Sequence, residues 1–514
     1  MRRLFAAFGL VVLVVLGYAA ADVVNLVPGV LTTADEPDPR HDSPGSADVT
    51  LPVAAATVGA LPLAPPTGTA ASVDTAALSS RLDAVLADPD LAANVGAIVL
   101  DGASGRQLFA RSATIGHIPA STMKVVSALS IVDTLDPAAT MATTVVAGKS
   151  SSQIVLVAGG DTMLGRGDGN TTATLGRAGL GDLANQVAAN LGDTKKVSLR
   201  LDLSYAAGPN WPATWNRADL DSGVTQTVRM IGLADQRPDA AAGKVSPPDP
   251  PSEVAKAFAA ALADEGIAAE LTPESTWQTP APSGAGALGV VHSAPYADVL
   301  SLALLESDNA LMENLARQAS VAAGGKPTEA GVVAHTRVVL ASHAIPTTGM
   351  VLRDASGLSH GQLVPPQTIA HVIRVGSSGQ VPGMSDVIAG LPIAGLTGTL
   401  DAAHERFDGP TTKAVAGVPR AKTGTLIGTS ALAGTTVSAD GHLFVFAVLA
   451  DGVPATAAGT RGARAALDRF AAALTTCGCT TTASASPTPT PSGGKTTGPG
   501  TMDRGGPGSA TGSS

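Results

Sequence analysis

The chain has 514 residues, of which 45% are hydrophobic, 14% charged and 3% aromatic, and its formal net charge is −10. That apolar content excludes a wholly disordered protein, and the acidic balance argues against nucleic acid as a partner, because neutralising phosphates needs a basic surface. The only cysteines, Cys477 and Cys479, exclude a disulfide framework and a cysteine-rich zinc site.

Arg2 and Arg3 precede an uncharged apolar run from Leu4 to Ala21. Such a run is the pattern of an export segment, whose arginines stay inside while the apolar stretch enters the bilayer. Its 18 residues approach the roughly 20 needed to span, whereas Ala19-Ala20-Ala21 offers a cleavage site. Residues 1–21 therefore read as a signal or a membrane anchor, and the remainder as extracytoplasmic. Residues 22–72 read as a stalk, with prolines at 37, 39, 44, 52, 62, 65 and 66 that favour extended backbone. At the other end, residues 477–514 are rich in Thr, Ser, Pro and Gly and read as a disordered tail.

Between these ends, apolar spacing predicts a helix over Thr75–Leu86. Val95–Asp101 and Arg106–Ala113, around a turn at Ala103-Ser104-Gly105, predict a hairpin. Pro119 sits just ahead of Ser121, and Val125, Ala128, Leu129 and Val132 recur at helical spacing, so Ser121 is expected at a helix N-terminus. Short apolar runs and many Gly/Pro turns over 146–289 predict a mostly-β insertion. Helices are expected at Tyr296–Glu306 and Ala310–Ala323, then a hairpin around Asp440-Gly441 and a last helix at Thr460–Leu474. Strands at both ends with helices between predict an α/β (α+β) domain, residues 73–145 and 290–476, interrupted by the insertion.

Three short motifs carry chemistry. Ser121 and Lys124 stand three apart, so in a first helical turn they share a face and the amine can reach the hydroxyl as its base. The same helix end points free N–H groups to where an oxyanion could form. Ser307-Asp308-Asn309 supplies a second hydroxyl and an amide, although a helix cap explains the tripeptide equally simply. Lys422-Thr423-Gly424-Thr425 offers an amine and two hydroxyls beside a bare backbone, able to bind a carboxylate, or else an exposed edge strand with a protective lysine. The nine histidines include no H-x-x-x-H pair, and no metal or cofactor is expected.

In that order, S-x-x-K, S-x-N and K-T-G are the signature of serine penicillin-recognising enzymes. The chain resembles the D-alanyl-D-alanine carboxypeptidases of the penicillin-binding protein 4 type, the low-molecular-mass class C penicillin-binding proteins, over about residues 75–475. The long interval from Ser121 to Ser307 fits that branch, as do Gly159-Gly160-Asp161-Thr162-Met163-Leu164 and Asp354-Ala-Ser-Gly357-Leu358-Ser359, although Thr162 stands where proline is usual.

The resemblance implies a β-lactamase/transpeptidase-like domain with a five-stranded antiparallel sheet flanked by helices. It further implies Ser121 as nucleophile, Lys124 as base and Ser307 as proton relay, with Asn309, Lys422, Thr423, Gly424 and Thr425 binding substrate. The substrate would be a peptidoglycan stem peptide ending in D-Ala-D-Ala, with endopeptidase action on cross-links besides and with β-lactams as inhibitors. A β-lactamase of the same fold, and an inactive wall-binding or sensor protein, are the alternatives.

Overall fold

The computed structural model describes residues 72–91 and 94–481. The expected leader at 1–21, almost all of the stalk and the tail beyond 481 lie outside them. Among the described residues no helix is long and apolar enough to cross a membrane.

Strand β1 (Ser72–Val73) leads into helix α1 (Thr75–Leu86), capped by Asp74, which accepts from the amides of Ala76 and Ala77. Leu78, Leu82 and Leu86 recur every four residues and form the buried stripe of α1. β2 (Asn94–Asp101) and β3 (Gln107–Arg111) make the expected hairpin. Helix α2 (Met123–Val132) then runs through the interior with Met123 to Ile131 all buried, which is why its pattern is apolar on nearly every side.

The middle of the chain comprises β4 (Thr140–Ala147), β5 (Gln153–Val157), α3 (Leu180–Leu191), β6 (Lys196–Asp202), α4 (Pro250–Asp264), β7 (Ala268–Leu271) and β8 (Ala287–Pro295). These strands form one sheet in the order β7-β6-β5-β4-β8, in which β5–β6 and β6–β7 are parallel. Parallel neighbours need a crossover, and α3 and α4 supply the two. The segment expected to be mostly strands is therefore α/β. Its sheet also takes in residues 140–145 and 290–295, just outside the expected insertion at 146–289. The Pro250-Pro251 pair, which looks like a turn, opens α4 at the one place where a helix tolerates proline.

The chain continues with α5 (Tyr296–Leu305), α6 (Asn309–Ala322), α7 (Glu329–Ser342), α8 (Pro366–Ser377) and α9 (Met384–Ala389). It closes with β9 (Arg420–Leu426), β10 (Thr429–Val437), β11 (Leu443–Asp451), α10 (Ala457–Thr475) and β12 (Thr480–Thr481). The second five-stranded sheet is antiparallel throughout, in the order β3-β2-β11-β10-β9, so both ends of the chain complete it.

Alternation along its central strands builds two cores. Ile98, Leu100, Val445 and Ala447 face the cluster of α2, α6 and α8, while Ala97, Val99, Phe444 and Phe446 face α1 and α10. Residues 477–481, expected to belong to the tail, are structured. Cys477 is buried and disulfide-bonded to Cys479, and Val73 pairs with Thr480.

Against α10 lies a buried ion pair. Arg406 Nε donates to Asp468 Oδ1 at 3.1 Å and to Oδ2 at 3.0 Å, and the Phe407 amide donates to Oδ2 at 3.1 Å. Asp468→Ala would leave the Arg406 charge buried without its partner, and is expected to lower stability by about 3–5 kcal/mol. A melting temperature unchanged from the wild type would show that the pair does not hold this corner.

Candidate active site

Three segments distant in the chain meet at the start of α2. Pro119 and Ala120, the latter at φ +44°, lead into a 3-10 turn over Ala120–Thr122 that runs directly into the helix. Ser121 thus stands at the head of the helix and Lys124 one turn on, along the same face. Lys124 Nζ lies 2.8 Å from Ser121 Oγ, 2.6 Å from Asn309 Oδ1 and 2.9 Å from the Ser356 carbonyl oxygen. The last two are fixed acceptors that occupy two N–H bonds of the amine. The remaining tetrahedral direction points at Ser121, carrying a third N–H in the ammonium form and the lone pair in the neutral form.

Ser307 occupies left-handed backbone at φ +61°, between α5 and α6. Asp308 caps α6 by accepting from the Leu311 amide at 2.9 Å, so the tripeptide is a cap after all, but through its middle residue alone. The residues on either side reach the site. Arg237 secures the turn from the inserted segment, with Nη2 2.7 Å from Glu306 Oε2 and 2.8 Å from Asp308 Oδ2. Such a backbone conformation is uncommon for serine and persists only where its surroundings enforce it.

β9 is the edge strand of the antiparallel sheet and runs beside the Ala120–Thr122 turn. At Gly424 a Cβ would stand 2.6 Å from the Pro119 carbonyl oxygen, so any side chain there would drive strand and turn apart. Lys422 is wholly buried, which overturns the reading of an exposed protective lysine. Its Nζ is 3.0 Å from Ser307 Oγ and 2.9 Å from the Thr423 carbonyl oxygen. Thr423 Oγ1 lies 2.7 Å from Thr399 Oγ1, and Thr425 is exposed at the open end. Ser121 and Ser307 are half-buried, so the two hydroxyls line the accessible side and the two amines lie beneath them.

Burial pushes the Lys124 amine down to about 8, while the carboxyl groups of Asp354, Asp308 and Glu313 oppose a further fall. Burial, and not a positive charge on Lys422, is what brings the Lys124 amine down. Lys422 is itself driven well below the usual lysine range, first by burial, then by the charges of Lys124 and Arg406. Carboxyl groups offset part of the cost of charging Lys124 in the interior, but among the causes acting on Lys422 there is none, so its charge would be uncompensated.

The structure brings Ser121, Lys124, Ser307, Asn309 and Lys422 together, and it shows what sequence reasoning missed, namely the groups that hold them. Asp354 ties down the turn that receives Lys124. Its carboxylate accepts from the amides of Gly357 at 2.8 Å and Ser359 at 2.8 Å, from Gln362 Nε2 at 2.9 Å, and from Trp215 Nε1 at 2.8 Å. The Asn309 amide is oriented in turn by donating to the Val224 carbonyl oxygen at 3.2 Å. Trp215, Val224 and Arg237 all belong to the inserted segment. The Asp-Ala-Ser-Gly segment was visible in the sequence, but a carbonyl acceptor has no side-chain signature. Among the described residues no group of His, Cys, Asp and Glu could hold a metal ion.

A hydroxyl with an amine poised to take its proton, beside a helix start and a strand edge, is the equipment of a serine hydrolase working through an acyl intermediate. The profile of the D-Ala-D-Ala carboxypeptidase 3 (S13) family matches residues 78–233 and 234–474. The chain belongs to that family. It is 34% identical over 435 residues to carboxypeptidase DacB of Mycolicibacterium smegmatis, covering 82% of this chain and 91% of that protein. It is 27% identical to the D-alanyl-D-alanine carboxypeptidase of an Actinomadura species, over 73% of this chain and 81% of that one. Its fold is similar to that of penicillin binding protein 4 (dacB) from Haemophilus influenzae, with a TM-score of 0.62 at 19% identity, over 78% of this chain and 98% of the other.

Proposed function

We propose that this chain is a serine-type D-Ala-D-Ala carboxypeptidase that releases the terminal D-Ala of peptidoglycan stem peptides through an acyl-enzyme on Ser121. The observation that carries the proposal is the 2.8 Å contact between Lys124 Nζ and Ser121 Oγ, in a chain of this family. Neutral Lys124 takes the hydroxyl proton as Ser121 attacks the penultimate D-Ala carbonyl. Backbone N–H groups of Ser121 and Thr425 receive the developing oxyanion, a donor of that kind contributing about 3–4 kcal/mol. The amide C–N bond then breaks, and Ser307 passes a proton to the departing amine. Asn309 holds the acyl side, and Lys422, Thr423 and Thr425 hold the free carboxylate. Water hydrolyses the ester and regenerates Ser121. Such a substrate lies outside the cytoplasm, so the enzyme acts there.

A β-lactam presents a similar amide next to a carboxylate and is expected to acylate the same hydroxyl. Mass spectrometry of the protein after benzylpenicillin treatment checks this directly. A stable adduct on the peptide containing Ser121 supports the reading, and an adduct elsewhere or none at all sinks it. Rapid β-lactam turnover without accumulation would point to a β-lactamase instead.

The amine sets the pH dependence. Lys124 is a base only when neutral, and with its pKa near 8 about one-tenth is neutral at pH 7. The acylation rate should therefore rise roughly tenfold per pH unit on the acid side and level off above a midpoint near 8. A rate independent of pH between 6 and 9, measured with a fluorescent penicillin, would count against Lys124 as the base.

A further inference from the structure

The site contains a buried acid for which the mechanism above has no use. Glu313 lies on α6 one helical turn after Asn309, so the two side chains project from the same face. It is 4% exposed, and its Oε1 accepts from the amides of Ala355 at 2.9 Å and Ser356 at 2.8 Å. Ser356 is the residue whose carbonyl oxygen holds Lys124 Nζ at 2.9 Å. One helix face thus reaches the lysine twice, directly through Asn309 and indirectly through the turn that Glu313 braces.

We propose that Glu313 is a positioning residue for acylation, bracing the Asp354–Gly357 turn against the Lys124 amine and serving as a buried counter-charge to it. This rests on the reading of Ser121 and Lys124 as nucleophile and base, and it deepens that reading.

Two features support it. The first is geometric. Asn309 Oδ1 and the Ser356 carbonyl oxygen are the acceptors that aim the lone pair of Lys124 at Ser121, and only the Ser356 acceptor belongs to a loop. A loop carbonyl keeps its place only if the adjoining amides are held, and Glu313 takes two consecutive ones. The second is electrostatic. The charged and titratable groups around the pair are Asp354 on the same turn, Asp308 at the helix cap, Arg317 further along α6, and Lys422 on β9.

Burial and the Asp354 charge push the Glu313 carboxyl up to about 8, the same range as Lys124. The carboxylate form can only favour the ammonium over the free amine. Near and above that range, where Glu313 is ionised, its charge opposes loss of the Lys124 proton and so holds the midpoint of acylation higher than it would otherwise lie.

The test is the pH profile of Ser121 acylation by fluorescent penicillin in the full chain, with melting temperature recorded beside it. Glu313→Gln keeps an acceptor oxygen and removes the charge. It is expected to retain the plateau rate within about threefold and to move the acid limb about half a unit to one unit lower. Glu313→Asp keeps the charge but shortens the reach. It is expected to leave the midpoint within about 0.3 unit and to lower the plateau about tenfold. A glutamine variant whose midpoint is unchanged or higher overturns the counter-charge, and an aspartate variant with the wild-type plateau overturns the bracing. A merely structural residue would change melting without moving either quantity. Failure of the wild-type chain to label at Ser121 would be seen in the same experiment and would overturn the underlying reading along with this one.

Discussion

Lys124→Ala is expected to slow acylation of Ser121 by about a thousandfold, equivalent to roughly 4 kcal/mol of transition-state stabilisation, because a positioned general base contributes factors of that order. Among the described residues no other base is hydrogen-bonded to Ser121 Oγ; the amine is 2.8 Å away, and the second lysine contacts Ser307 instead. The change in stability should be much smaller, within about 2 kcal/mol, since two effects oppose each other. Removing the amine strands Asn309 Oδ1 and the Ser356 carbonyl oxygen, which is unfavourable. It also removes a fully buried cationic group whose desolvation already pulls its pKa down, which is favourable. Time courses with fluorescent penicillin, read together with thermal melting, separate the two quantities. Labelling within tenfold of the wild type would show that another group takes the proton.

The contrast between activity and stability follows from how the site is built, and the same construction explains what could be read in the sequence. Short-range features were legible because their physics is local. The leucine spacing of α1 and the Asp440-Gly441 turn, with Gly441 at φ +82°, determine their elements unaided. So does the three-residue step from Ser121 to Lys124. The ordering of the three motifs was legible too, and it gave the side chains that converge here.

What remained hidden depends on partners brought from elsewhere. Lys422 looks like a solvated edge residue until Ser307, 115 positions earlier, closes over it. The crossover helices of the inserted segment were missed because their apolar stripes are built largely from alanine, as in α4, and lie among prolines that mark turns elsewhere. The insertion itself had no visible role. Its Trp215, Val224 and Arg237 act on Asp354, Asn309 and Asp308 through bonds that only tertiary structure creates. A segment that looked like an addition to the domain proves to hold two of the turns that form this site.

Lys422→Ala is expected to reduce kcat/KM about a hundredfold on a peptide ending in free D-Ala-D-Ala, and only a few-fold on the same peptide with an amidated C-terminus. The asymmetry is the substance of the claim. In the free site Lys422 is buried, its pKa is well depressed, and its Nζ is held by Ser307 Oγ and the Thr423 carbonyl oxygen. A carboxylate entering beside Thr423 and Thr425 would supply the missing negative partner, restore the ammonium form, and so take up a proton on binding. A charge-assisted hydrogen bond of this sort contributes about 1.5–3 kcal/mol, and the upper part of that range corresponds to the hundredfold loss. With an amide in place of the carboxylate no such bond forms, so deleting the amine removes only its contact with Ser307. Comparing the two peptides on the wild-type and variant enzymes therefore isolates carboxylate recognition from general damage to the cleft. Equal losses on both peptides would mean that Lys422 serves Ser307 alone, and that selection for a free C-terminus is made by the threonine hydroxyls.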